Sequence, residues 1–545
     1  MQNMNIVCTE TFCEQRPGRP MSGHASLSRP VTSFLSCLLV GLALLPLLAS
    51  AEVRMPAILS DHLVLKRGAD ILVWGKAAPD EAIVVTLGEA TARTVTGADG
   101  RWRVTLDLTR SPAGPLVLTI EGRNRIVIND VLIGEVWLAS GQSNMAFRLK
   151  AATEAEKEIA TPANFQLRQF EVARAEEANP AEDCKGVWVV AGPETIGDFS
   201  AVAYFFAKRL QEELQVPVGI INSSVGGTPC EAWTSPAAIN TDPHLKAARE
   251  RALAALAAPP SQDEKKGEAK RRKIPRRAQT EPGCLFNGMI SPLLPCALSG
   301  VIWYQGEANA KRAWQYRSAF PRMIQDWRNQ WQRPDLPFYF CQLPNHYPKR
   351  AAPTDSLWAE LREAQSLALR LPHTGQAVLI DLGEAGDLHP PGKQGPGNRL
   401  AAIALANVYG RKIPFSGPVW QAMKIEAGKI RLTFAHADGG LVAQPLPGTY
   451  NVKTKAGQTA LLVRNSPDSE LEGFAICGSD HQWVWATARV EGDSVVVWAD
   501  NVSSPVAVRH AWADNPTCNL ANGTGLLAAP FRTDDEPTMT SKALY

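Results

Sequence analysis

The sequence predicts an α/β protein, a parallel sheet flanked by helices, with a β-rich region on either side of it along the chain. Three observations predict it. From about Glu135, apolar strand-like runs alternate with helical stretches, as in a sheet covered on both faces. Before that point and after about Pro414, short alternating runs broken by Gly and Pro read as antiparallel β structure. The 545 residues exceed a typical domain of roughly 150 residues severalfold.

Residues 1–51 read as an export leader. Arg29 precedes an apolar run from Phe34 to Leu48, and Ala49-Ser50-Ala51 is a small-x-small cleavage pattern. Cleavage near Ala51 predicts a secreted or periplasmic protein. The run is shorter than the ~20 residues that cross a bilayer, so no permanent membrane span is expected.

Residues 52–133 are predicted to form an N-terminal β-sandwich. Its strand signals are Ile71–Trp74, Ile83–Val85 and the alternating Trp102, Val104 and Leu106, with Asp99-Gly100 as a hairpin turn. Residues 134–412 carry the α/β pattern. Strands are expected at Val136–Ala139, Val218–Asn222, Val301–Tyr304, Phe338–Gln342 and Val378–Asp381. Helices are expected at Ala201–Leu214, Tyr316–Trp331, Leu357–Leu369 and Asn398–Val408. A charged stretch at about 245–280, ending in Arg271-Arg272-Lys273-Ile274-Pro275-Arg276-Arg277, reads as a solvated helical insertion, because it lacks the interleaved aromatics of a nucleic-acid site. Residues 413–545 return to strand patterns, among them Ile430–Phe434, Trp483–Ala486, Val495–Trp498 and Val506–Val508.

With 56 basic and 54 acidic residues, the chain has no net field to gather nucleic acid. Its ten cysteines are scattered, with no metal-ligand spacing. Seven follow Ala51; most are expected to be buried thiols, with Cys284–Cys296 as a candidate bridge. No cofactor or metal is expected.

Four polar clusters follow predicted strands, where open α/β sheets bind ligands. In Val136–Met145, Ser143 stands directly after a strand, exposed to a cleft, with its own N–H able to meet an oxyanion. Met145 replaces the second glycine of Gly-x-Ser-x-Gly, which disfavours the α/β-hydrolase elbow. The second cluster, Asn222–Thr228, offers Gly226 and Gly227, whose backbone approaches a ligand closely enough to donate an N–H. In the third, Gly300–Asn309, an amide from Gln305 or Asn309 is a candidate oxyanion donor. Trp233, Trp303, Tyr304 and Glu307 are expected to line a sugar-sized pocket. The fourth, Asp381–Pro391, holds His389, whose usual pKa of about 6.5 suits proton transfer. Asp387 is the natural orienter of its ring, with Asp381 and Glu384 as alternatives and a bare Ser–His dyad as a third; His346 and His373 are further candidate bases.

Together these blocks resemble the sialate O-acetylesterase family and related bacterial acetylxylan-esterase-like proteins of the SGNH hydrolase group. The resemblance extends to Leu59-Ser60-Asp61-His62, Glu231-Ala232-Trp233, Leu285–Met289 and Ala511–Pro516, so it covers nearly the whole mature chain. It implies a flavodoxin-type SGNH sheet, a serine esterase and an O-acetylated carbohydrate as substrate. Ser143 would attack the acetyl carbonyl, with His389 as base and an acetyl-enzyme as intermediate. Two departures stand out. The common signature puts Asp three residues before His, where this chain has Gly386, and Gln305 stands where that group has asparagine. Two readings compete with acetyl-sugar hydrolysis: a secreted carbohydrate-binding protein without catalysis, and an esterase or lipase acting on other acyl esters.

Overall fold

The computed structural model describes residues 52–257, 281–453, 458–463 and 470–543. The leader, with Cys8, Cys13 and Cys37, and the basic end of the insertion lie outside them. Fourteen strands carry the chain through the part that builds the site: β1 (Val64–Lys66), β2 (Ile71–Lys76), β3 (Ala82–Leu87), β4 (Ala90–Val95), β5 (Arg101–Leu106), β6 (Leu116–Glu121), β7 (Arg125–Gly141), β8 (Asn164–Glu171), β9 (Trp188–Ala191), β10 (Val218–Ser224), β11 (Gly300–Tyr304), β12 (Phe338–Cys341), β13 (Lys349–Arg350) and β14 (Thr374–Ala377).

β1 runs parallel to β7, and β2 to β6 form antiparallel structure, as their alternation requires. β2 pairs β5, and β3 lies between β4 and β6, with β6 on the first half of β7. Asp99-Gly100 makes a turn, but the strands it joins, β4 and β5, pair with other partners. The expected hairpin is therefore a crossover between sheets.

β7 is the spine of the molecule. Its 17 residues pass through position 133, so the expected boundary between N-terminal and catalytic regions falls inside one continuous strand. Its second half enters a parallel sheet of order β14-β12-β11-β7-β10-β8, with β9 antiparallel at the edge. Successive side chains of a strand point to opposite faces, and the core divides accordingly. Val136 and Leu138 pack with Val301, Trp303 and Phe338 in one cluster. Trp137 and Ala139 pack with Ile302, Tyr304 and Tyr339 in the other. Helices α1 (Ala201–Leu214) and α2 (Gln394–Asn407) cover the second face; α3 (Ala313–Gln330) and α4 (Leu357–Ser366) cover the first.

Helix ends follow local chemistry. The Ser200 hydroxyl accepts from the Ala203 N–H at the start of α1 (3.3 Å), and Ser356 accepts from Ala359 at the start of α4 (2.9 Å). The last strand lies at Thr374–Ala377 rather than over the apolar Val378–Asp381. It pairs with β12 from Phe338↔Thr374 to Cys341↔Ala377 and ends where its partner ends. Leu379 and Ile380 are buried just beyond it. Beyond Pro414, two four-stranded antiparallel sheets and smaller pairings supply the expected C-terminal β structure.

All seven described cysteines are unbridged, Cys284 and Cys296 included. Burial pushes the Cys296 thiol well above its usual range, which makes it an inert core residue. Among the described residues, no helix is long and apolar enough to cross a membrane.

Candidate active site

The site lies at the carboxyl ends of β7, β10 and β11, where the chain leaves β7 to build β8, β9 and β10 on one side and then crosses to β11 on the other. That is the switch point at which open α/β sheets hold ligands. At the end of β7, Gly141 has φ of 137° and its Cα faces the Tyr304 carbonyl so closely that a β-carbon would collide with it. Glycine is required there. Gln142 then donates its N–H to Tyr304 O (2.9 Å), and a single short helix, Ser143–Ala146, begins at Ser143. The turn lifts the Ser143 hydroxyl off the sheet edge while its neighbours Gln142 and Asn144 stay buried.

His389 sits on the loop between β14 and α2. Its Nε2 lies 2.7 Å from Ser143 Oγ, and both residues are half-buried. Two of the predicted residues, 246 positions apart in sequence, thus stand within hydrogen-bonding distance, the reach that proton transfer requires. Burial, then the nearby Lys393 cation, holds the His389 pKa below its ordinary value, with Asp387 opposing.

The expected orienting carboxylates do not reach the ring. Asp387 Oδ1 accepts from the His389 main-chain N–H (2.7 Å), because residues two apart place the short carboxylate over the backbone rather than the imidazole. Asp381 is clamped by Arg399 at 2.6 Å through both oxygens. Among the described residues no carboxylate bonds the imidazole. His346 directs Nδ1 to the Glu384 carbonyl (3.2 Å) and packs on Tyr347 and Trp358. His373 lies before β14, at the opposite end of the sheet.

Gly226 lies against Ser143; a β-carbon on it would sit 3.3 Å from Ser143 Cβ. Gly227 follows, exposed and with φ of 73°. The two side-chain amides proposed as oxyanion donors are already committed. Gln305 Nε2 donates to Asn309 Oδ1 (2.7 Å) and Thr228 O (3.2 Å), and its Oε1 accepts from Tyr316 (3.0 Å). Asn309 Nδ2 donates to both oxygens of Glu231 (3.1 and 3.0 Å), which Arg312 also holds (2.8 Å). This network braces the strand ends and points no donor at the serine. The expected pocket aromatics are core as well: Trp233, Trp303 and Tyr304 are each 0% exposed. Trp303 packs edge-on to Trp233 and Trp327.

Beneath the Ser–His pair lies a buried network that the sequence did not announce. Asn144 Nδ2 donates to Glu307 Oε1 (2.6 Å) and to the Leu388 carbonyl (3.1 Å), while its Oδ1 accepts from Lys393 Nζ (2.6 Å). Glu307 is thus a partner of Asn144, not a pocket wall. Burial pushes the Glu307 carboxyl above its usual pKa and pulls the Lys393 amine down to about 8.

The family described as carbohydrate esterase, sialic acid-specific acetylesterase, matches residues 284–405. Human sialate O-acetylesterase is 30% identical over 532 residues, spanning 88% of this chain and 92% of the human protein. The chain belongs to the sialate O-acetylesterase family. The rat sialate O-acetylesterase is 29% identical across 90% of this chain and 97% of its own. The crystal structure of a carbohydrate acetylesterase from Xanthomonas citri superposes with a TM-score of 0.75 at 36% identity, covering 89% of this chain and all of that one.

This sialate O-acetylesterase family member is accordingly a carboxylic ester hydrolase. Its family-matched stretch holds Glu307, His389 and Lys393, whereas Ser143, Asn144 and Gly226 arrive from earlier strand ends. Asn144 had a signal, since it directly follows the serine. Lys393 had none: a lysine after Pro390-Pro391-Gly392 reads as surface, and only its neighbours in space bury it.

Proposed function

We propose that this esterase removes O-acetyl groups from sugars through Ser143 as nucleophile and His389 as general base. The observation that carries the reading is the 2.7 Å contact between Ser143 Oγ and His389 Nε2. With a proton on Nδ1, neutral Nε2 takes the hydroxyl proton as Oγ bonds to the acetyl carbonyl carbon. The carbonyl electron pair moves to oxygen, giving a tetrahedral oxyanion. The main-chain N–H groups of Ser143 and Gly226, with Gly227 beside them, are the donors assigned to it in this reading. Collapse breaks the bond to the sugar oxygen, which takes the proton back from His389, and leaves acetyl-Ser143. Water, deprotonated by the same imidazole, reverses the sequence and releases acetate.

Asp387 serves this cycle through the main chain of His389 rather than through the ring. The substrate is an O-acetylated sialic acid or an acetylated polysaccharide, a reading supported by the acetylesterase relatives. The apolar run Phe34–Leu48 and Ala49-Ser50-Ala51 support export and action outside the cytoplasm.

Acetate release from acetylated sialic acids and acetylated xylan identifies the sugar. A series of aryl esters of rising acyl length tests the acyl preference. Activity should fall steeply beyond acetyl; undiminished cleavage of long-chain esters would replace this reading with a lipase or thioesterase.

A further inference from the structure

The Ser–His pair lacks a carboxylate on its imidazole among the described residues, yet the ring holds Nε2 at 2.7 Å from Ser143. Something else must fix it. A loop histidine half exposed to water has several rotamers and a mobile main chain, and either freedom would break a contact of that length.

Main-chain anchors on both sides of His389 supply the constraint. Its own N–H is tied to Asp387 Oδ1 (2.7 Å), and the carbonyl just before it, on Leu388, accepts from Asn144 Nδ2 (3.1 Å). Asn144 adjoins the nucleophile, so this amide joins the serine turn to the histidine loop directly. Its orientation is enforced at both ends. Lys393 Nζ can only donate and so selects the oxygen (2.6 Å); Glu307 Oε1 accepts and so selects the nitrogen (2.6 Å). A flipped amide would face an ammonium with its NH2 group.

The arrangement is costly unless it does something. Lys393 is 1% exposed, its ammonium lying over the rings of Phe147 (4.6 Å) and Tyr304 (5.8 Å). A buried ammonium and a buried carboxyl group on opposite sides of one amide are rarely stabilising overall, because desolvation offsets the attraction.

We propose that Lys393 and Glu307 are positioning residues that lock Asn144, and that Asn144 in turn holds the His389 loop against Ser143 in place of a carboxylate on the imidazole. This deepens the proposed function and rests on Ser143 and His389 being nucleophile and base. Lys393 has a second effect. After burial, its cation is the next cause that holds the His389 pKa below its ordinary value.

The test compares Lys393→Met, Asn144→Asp and Ser143→Ala with the parent full-length protein, using 4-nitrophenyl acetate across the pH range. Asn144→Asp is isosteric and preserves packing, but removes both amide donors. In each of the first two variants kcat should fall by on the order of a hundredfold, the cost of about 1 Å of misplacement, with KM little changed. The acid limb of kcat/KM should move to higher pH, because a cation near the imidazole is lost in one and an anion is gained in the other. A merely structural role would lower the amount of folded protein and leave kcat of the folded fraction at the parent value. Parent kcat in folded Lys393→Met and Asn144→Asp, with Ser143→Ala inactive, would overturn the positioning assignment alone, wherever the acid limb lies. Parent rates in Ser143→Ala would overturn it together with the catalytic reading on which it rests. If Lys393→Met does not fold, Asn144→Asp decides by the same two readouts.

Discussion

A serine hydroxyl becomes a useful nucleophile only where a neutral base stands within hydrogen-bonding reach and a pocket admits the ester. Ser143 and His389 satisfy the distance condition, and the depressed pKa of His389 governs the pH at which the base is available. Protonation disables it, so kcat/KM should fall on the acid side with a midpoint below the ordinary 6.5; a midpoint above that value would contradict the electrostatics. Asp387→Asn provides a second check at this scale. In a triad with the carboxylate on the ring, such a change lowers kcat about ten-thousandfold. Here the asparagine carbonyl can still accept from the His389 N–H, so the loss should stay within about tenfold. Ser143 and His389, the proposed nucleophile and base, were legible because each follows a predicted strand and carries its chemistry in its own side chain. The roles assigned to Gln305, Asn309, Trp233 and Trp303 failed for one reason: sequence shows that an amide or an indole is near the site, but not whether its donors are already spent or its ring turned into the core.

At the scale of elements, the turn after β7 decides whether the Ser143 hydroxyl is presented at all. Gly141→Ala places a β-carbon against the Tyr304 carbonyl at a positive φ, and should destabilise the fold by about 2–5 kcal/mol; chemical denaturation measures it. An unchanged midpoint would mean that the turn relaxes freely. Helix α1 matches its predicted span to the residue, Ala201–Leu214, since Ser200 caps it and its apolar first half, buried continuously from Ala201 to Ala207, gives way to a polar last turn. β8 was missed because its inward positions include Arg168 and Gln169, both buried, which hides a core strand behind polar letters. Arg168 is satisfied there by Asp130 and the His62 carbonyl, partners invisible along the chain.

Across the whole molecule, a fully buried guanidinium helps tie the C-terminal β region to the catalytic sheet. Arg362 donates to the carbonyls of Leu343 and Pro344 after β12, and to those of Ala513 and Asp514 in the Ala511–Pro516 block (2.7–3.0 Å). Asn345 continues the link, donating to Asn515 Oδ1 (3.1 Å) and accepting from the Gly383 N–H of the histidine loop (2.7 Å). Arg362→Met strands four buried acceptors and should cost about 3 kcal/mol or more, read as a lowered denaturant midpoint. The family block Ala511–Pro516 is thus a brace for the site, a role its residue types did not suggest. The same region carries an acid sensitivity. His510 is 0% exposed, stacked on Phe474 and Phe531, and burial pulls its pKa from 6.5 down to about 3. Below 6.5 the unfolded chain takes up a proton that the folded one refuses, so stability should fall as pH drops from 6.5 towards 3. His510→Phe should flatten that loss; an identical acid profile would refute it.

The central claim, that acetyl transfer runs through the hydroxyl of Ser143, is tested most directly by the rate of acetate release from an O-acetylated sialic acid by folded Ser143→Ala beside the parent enzyme. The account predicts a fall of roughly ten-thousandfold or more; release at the parent rate would contradict it.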